Sequence, residues 1–187
     1  MKIISVDIIR PQTGGRASDG TRWNPTFIRI NTDEGICGYG EIGLAYSNAI
    51  DAAAGILKDF CSIIIGMNPL ASEKIWNTLL RNTFWGQGGG GVVFGGISAI
   101  DIALWDIKGK YYNAPVYQLL GGKTNDRLRA YASQIQFDWG PVSKNLVTPQ
   151  EYAETTLKAK EQGYDCVKVD LWGSQPMEDG AAIAAVS

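Results

Sequence analysis

The apolar positions of this chain recur first at every second residue, then at helical spacing, and then switch between the two. Lys2 to Arg10 alternates apolar and polar, as a half-buried strand does. Pro11 to Asn24 is a polar stretch rich in Gly, Arg and Ser. Phe27-Ile-Arg-Ile-Asn-Thr32 and Ile36-Cys-Gly-Tyr-Gly-Glu41 then flank Asp33-Glu-Gly35, which predicts a hairpin. Three antiparallel strands are the expected opening.

Helical spacing follows. Asn48 to Ile65 carries Ile50, Ala53, Ala54, Leu57, Cys61 and Ile64 on one face. Pro69 to Trp85 predicts a second helix with Ile75, Leu79 and Leu80 on its apolar side. After the glycine cluster Gly86 to Gly91, a third helix carries the stripe Ile97, Ile100, Leu104 and Ile107. Tyr117-Gln-Leu-Leu-Gly-Gly122 ends on a glycine stop.

Beyond this point the pattern changes. Leu128 to Ser133 is strand-like, Pro149 to Gln162 helical, and Tyr164 to Asp170 strand-like again. A strand, a helix and a strand joined by short connections predict a parallel β–α–β unit. The expected boundary lies near Lys123 to Arg127, giving an α+β domain over 1–124 and a second domain over 125–187.

Composition narrows the chemistry. A net charge of −2 leaves no basic footprint for nucleic acid and no polybasic patch for a membrane surface. Asp7 breaks the first apolar run too early for a signal peptide, and no run approaches the ~20 residues of a membrane helix. Cys37, Cys61 and Cys166 are odd in number and widely spaced, which fits a reducing cytoplasm. Histidine is absent, so these residues hold no Ser-His-Asp or Cys-His site and no His-ligated metal. A base supplied here is Lys, Asp, Glu or Tyr.

Several motifs weigh little. Gly86-x-Gly88-x-x-Gly91 matches a dinucleotide fingerprint, but a helix precedes it where a strand is required. Gly122-Lys-Thr124 echoes a phosphate loop, yet Tyr117 stands where its first glycine belongs. Asp106 and Lys110 are spaced for an ion pair along a helix, and Asp101 falls on a helix-packing edge. Lys168 and Asp170 carry more. Two apart on a strand, they share one face, either as an internal ion pair or as groups projecting into a barrel whose strand ends line an active site.

Four segments in order resemble the mandelate racemase and muconate-lactonizing branch of the enolase superfamily. Thr26 to Glu41 resembles its cap-domain hairpin. Ile97-Ser-Ala-Ile-Asp-Ile-Ala-Leu-Trp-Asp-Ile-Lys-Gly-Lys110, with Ala114-Pro115 and Leu119-Leu-Gly-Gly122, resembles its diagnostic helix. Leu128 to Ser133 and Gly163 to Asp170 resemble the first two barrel strands. The resemblance implies an α+β cap domain, a three-stranded antiparallel sheet plus helices, followed by the first βα units of a modified (β/α) TIM-type barrel, incomplete in this chain.

The resemblance further implies removal of the proton α to a substrate carboxylate, with Mg²⁺ stabilising the enediolate. Lys168 matches the first lysine of the family's Lys-x-Lys, while Asp170 stands at the second. That departure favours an acid-sugar dehydratase of the mandelate racemase-like subgroup, in which a His-Asp pair from later strands can serve as base. Lys168 is then the electrostatic group at the carboxylate, and Asp170 supports it. The cap loops Gly14 to Trp23 and Gly43 to Asn48 match the specificity loops and offer Arg16, Arg22, Trp23 and Tyr46 to the substrate.

Metal ligands are expected beyond Ser187. The expected partners are a small-molecule carboxylate and a second copy of the chain in a homo-oligomer, with no nucleic acid or membrane. The alternatives are a racemase, epimerase or cycloisomerase of the same superfamily, or a truncated, non-catalytic α+β interaction module.

Overall fold

The structure, a computed structural model, describes residues 1–11, 25–43, 50–83, 86–139 and 144–169. These form two compact units, one running to Thr124 and one from Asn125.

The first unit is built on an antiparallel sheet of order β1-β2-β3: β1 (Ile3–Ile9), β2 (Phe27–Thr32) and β3 (Cys37–Glu41). Ile9 pairs with Phe27, and Phe27 with Glu41. The hairpin turn closes as Gly35 N–H donates to Thr32 O at 3.2 Å. Gly35 sits at φ 78°, a conformation that glycine adopts without steric cost.

Helices cover one face of this sheet. In α1 (Ile50–Ile64) all six apolar positions named from the spacing are buried, together with Phe60. In α3 (Gly91–Tyr112) Ile97, Ile100 and Ile107 are wholly buried, and Leu104 nearly so. Full burial of one such side chain contributes roughly 1.5–3 kcal/mol, so the two stripes meeting β2 residues Ile28 and Ile30 dominate this core.

Helix α3 lies directly on β3 because β3 presents no side chains there. A Cβ on Gly38 would stand 2.1 Å from Ala103 O, and one on Gly40 1.9 Å from Ala99 O. The Gly-x-Gly of β3 and the alanines of α3 together let helix and strand backbones touch.

Helix α2 (Ser72–Arg81) is shorter than its predicted span. Asn68 Oδ1 accepts from Leu70 N–H at 3.0 Å, and this local turn occupies the chain up to Ala71. The glycine cluster makes a 3-10 turn at Gly86–Gly88, then passes Gly89 (φ 63°) and Gly90 (φ 90°) into α3. The chain leaves α3 through Asn113 in the left-handed region, whose N–H donates to Gly109 O and Lys110 O. The short α4 (Val116–Leu119) ends on Gly121 and Gly122, both at positive φ.

The second unit holds a 3-10 turn at Ile135–Phe137 and α5 (Pro149–Glu161). The two predicted strands reduce, among the described residues, to one parallel bridge between Ala132 and Val167. Ala132 N–H donates to Cys166 O at 2.9 Å, and Lys168 N–H to Ala132 O at 2.7 Å. Leu128, 82% exposed, buries almost nothing that would extend the ladder toward its own end. Past Ser133, Gln134 turns into the left-handed region at φ 66° and stops it at the other.

Candidate active site

The parallel bridge sorts side chains into two faces. Ala132, Val167 and Val169 pack with Ile135, Leu146, Tyr152 and Ala159, the small core that includes residues of α5. Alternation then turns Cys166 and Lys168 to the opposite face, and both are exposed. Ser133 follows Ala132 as Lys168 follows Val167, so Ser133 shares that face and level. Sequence reasoning passed over Ser133. The signal was the register of the pairing, which no local pattern contains.

Where the first strand ends, the chain folds over the start of α5. Thr148 and Glu151 make a reciprocal capping box, and Lys144 Nζ bonds Glu151 Oε1 at 2.6 Å. The Lys144 ammonium, with the Val147 and Thr148 N–H groups, holds the Glu151 carboxyl down at about 2. Asp138, at φ 62°, accepts from Lys158 Nζ at 3.3 Å and from Thr155 Oγ1 at 3.4 Å. These polar contacts tie Asp138 and Lys144 to α5.

In the first unit, three strand ends converge at one corner. Arg10 follows β1, and Ile42 N–H donates to Thr26 O at 3.0 Å between the outer ends of β2 and β3. Pro11, Pro25 and Gly43 are the described residues that border segments 12–24 and 44–49 here. Arg16, Arg22, Trp23 and Tyr46 lie in those segments, outside the described residues, and Asp170 also lies outside them. Of the six residues singled out from the sequence, Lys168 alone is described.

Two other carboxylates on α3 have structural surroundings. Asp106 pairs with Lys110 at 2.7 Å, as the spacing predicts. Burial, reinforced by Glu73, pushes the Asp101 carboxyl above its usual range against the opposing Lys108 and Trp105. Burial likewise pushes the Cys61 thiol up to about 11, leaving it a packing residue. Among the described residues no three His, Cys, Asp or Glu side chains are grouped to hold a metal ion, so they do not form the Mg²⁺ site that the resemblance implies. Among them, too, no helix is long and apolar enough to cross a membrane.

Residues 10–121 match the family model for the mandelate racemase / muconate lactonizing enzyme N-terminal domain. The chain belongs to this family, and its first unit is the family's cap domain. D-galactonate dehydratase of Pectobacterium atrosepticum is 37% identical over 150 residues, covering 80% of this chain and 35% of that protein. The enzyme of the same name from Klebsiella pneumoniae is 43% identical over 112 residues, covering 59% of this chain and 28% of that protein.

Among solved structures, a dehydratase candidate from Salmonella enterica serovar Typhimurium superposes with a TM-score of 0.90 at 45% identity, over 99% of this chain and 52% of that one. An enolase superfamily member from Salmonella Typhimurium gives 0.89 at 43% identity, over 99% and 51%. The chain thus spans about a third of the curated relatives it matches and about half of the solved chains.

Proposed function

We propose that the whole protein dehydrates a sugar acid. The proton α to the carboxylate is removed and its electron pair forms an enediolate. The β carbon–oxygen bond then breaks, water leaves, and the enol settles to a 2-keto-3-deoxy acid. The observation that carries this reading is the placement of Lys168 on the face turned away from α5, level with Ser133. The relatives named D-galactonate dehydratase support the choice of a sugar acid.

In this reading the Lys168 ammonium sits at the substrate carboxylate and offsets charge that grows as the enediolate forms. Ser133 offers a hydroxyl to the same oxygens, and Asp170 holds Lys168 in place. Arg16, Arg22, Trp23 and Tyr46 contact the polyhydroxy chain. Mg²⁺ is assigned to ligands beyond Ser187, the base to later strands, and the working form to a cytoplasmic homo-oligomer.

The test is an assay of the whole protein with D-galactonate and a panel of sugar acids, scored for the 2-keto-3-deoxy product. Water loss from at least one of them is expected. Racemisation or cycloisomerisation without water loss would overturn the dehydratase reading in favour of an isomerase.

A further inference from the structure

The chain bends sharply beside Lys168. Lys168 N–H donates to Ala132 O at 2.7 Å, and Ile135 N–H donates to Lys168 O at 3.5 Å. Between these contacts the backbone passes through Ser133 and Gln134, and Gln134 sits at φ 66° and ψ 35°. Ile135 and Gln136 are buried, and Gln136 O accepts Leu146 N–H at 2.9 Å. The turn is therefore pinned on its far side, and the left-handed conformation is required at Gln134. Glutamine is not. Glycine adopts this conformation freely, whereas a long side chain does so against steric strain.

Among the described residues two other non-glycine positions have positive φ, and each has a local reason. Asn113 ends α3 with a short polar side chain that tolerates the left-handed region, and its N–H closes onto Gly109 O and Lys110 O. At Asp138 the carboxylate is held by Lys158 Nζ and Thr155 Oγ1. Gln134 has no counterpart to either. Its side chain is exposed, caps nothing in the 3-10 turn that follows, and makes no hydrogen bond among the described residues.

Its place supplies the reason. Gln134 directly follows Ser133, on the C-terminal side of the bridging Ala132, the end at which a parallel β/α barrel carries its chemistry. An amide there both donates and accepts, which matches a substrate hydroxyl; a carboxylate would use only the donating half. We propose that Gln134 is a specificity-determining residue whose amide binds a hydroxyl of the acid substrate near its carboxylate. The proposal rests on the sugar-acid reading above, with Lys168 at that carboxylate.

The experiment compares the whole protein with its Gln134→Gly and Gln134→Asn variants. Glycine keeps the backbone turn and removes the amide. Its KM for the sugar acid should rise about tenfold, with kcat changed less than about threefold. The ratio of kcat/KM between two sugar acids epimeric at one hydroxyl should fall toward one. The thermal midpoint should stay at or above the wild-type value, because strain is relieved. Asparagine keeps an amide and tolerates the turn, so its KM should lie between the two.

A glycine variant with unchanged KM and unchanged epimer ratio overturns the assignment. So does one that melts clearly below wild type, since the amide would then be bound by the protein and not by substrate. The wild-type assay alone decides the underlying reading: no turnover of any sugar acid withdraws both claims, whereas turnover with an indifferent glycine variant withdraws only Gln134.

Discussion

The carboxylate of Asp106 accepts the backbone N–H of Tyr39 at 2.9 Å, so a helix side chain closes the outer edge of strand β3. Its partner completes the closure: Lys110 Nζ donates to Cys37 O at 2.8 Å and to Asp106 at 2.7 Å. A sheet edge with unpaired N–H and C=O groups is a template for unwanted pairing, and covering it removes that template. The ion pair that helical spacing predicts is therefore also a cap on a strand 67 residues away from Asp106.

Removing it has a defined consequence. Asp106→Ala should destabilise the protein by about 0.5–1.5 kcal/mol, since Tyr39 N–H and Lys110 exchange the carboxylate for water at this exposed edge. Asp106→Asn keeps an acceptor and should cost less. Chemical denaturation measures both, and an alanine variant as stable as wild type would remove the edge-cap role.

The same substitution should act with opposite sign at two glycines. At Gly40 a methyl group meets Ala99 O at 1.9 Å, and both backbones are locked in the core. Gly40→Ala should cost about 1–3 kcal/mol or more through overpacking. Gly55 lies on the exposed side of α1 with open space around it. Gly55→Ala should stabilise by about 0.5–1 kcal/mol by removing backbone freedom from the unfolded chain. Thermal midpoints moving in the same direction for the two variants would refute the assigned packing.

This contrast also shows what a sequence can disclose. The stripes on α1 and α3 were legible because helical period is local, and every named position on them is buried. The hairpin was legible from Asp33-Glu-Gly35 for the same reason. Gly38 and Gly40 looked like ordinary strand residues, because their role depends on Ala99 and Ala103, which approach only in the fold. No local pattern announces the left-handed backbone of Gln134, and the level shared by Ser133 and Lys168 follows only from the Ala132–Val167 pairing. The Leu128 to Ser133 strand was overextended, since apolar content there did not translate into burial.

Acid should loosen the start of α5 in a defined window. The Glu151 carboxyl lies near 4.5 in the unfolded chain and about 2 in the fold. Its folded value is depressed, so the stability it contributes is fully present above about pH 4.5 and is lost as pH falls toward 2. Glu151→Gln keeps a capping side chain but loses the Lys144 pair and the titration. Hydrogen-exchange protection across α5, corrected for the intrinsic exchange rate at each pH, should fall between about pH 5 and 2 in wild type and stay flatter in the variant. Identical profiles would contradict this.

The proposed mechanism turns on the charge at Lys168. Its backbone is fixed by the N–H donated to Ala132 O at 2.7 Å, so a side-chain change leaves the pairing intact. Lys168→Met keeps the length and removes the cation. If that cation offsets charge developing on the enediolate, kcat of the whole enzyme should fall by about 10²-fold or more, with little loss of stability. Ser133→Ala, which removes the hydroxyl proposed to bond the same oxygens, should cost less, about tenfold. Asp170→Asn should also cost less if Asp170 only supports Lys168, because a side chain of equal size and hydrogen-bonding capacity remains. If Asp170 were the base, the asparagine variant would instead lose both turnover and exchange of the α proton with deuterated solvent. Measuring turnover and exchange together separates these roles, and undiminished turnover in Lys168→Met would withdraw Lys168 from the chemistry.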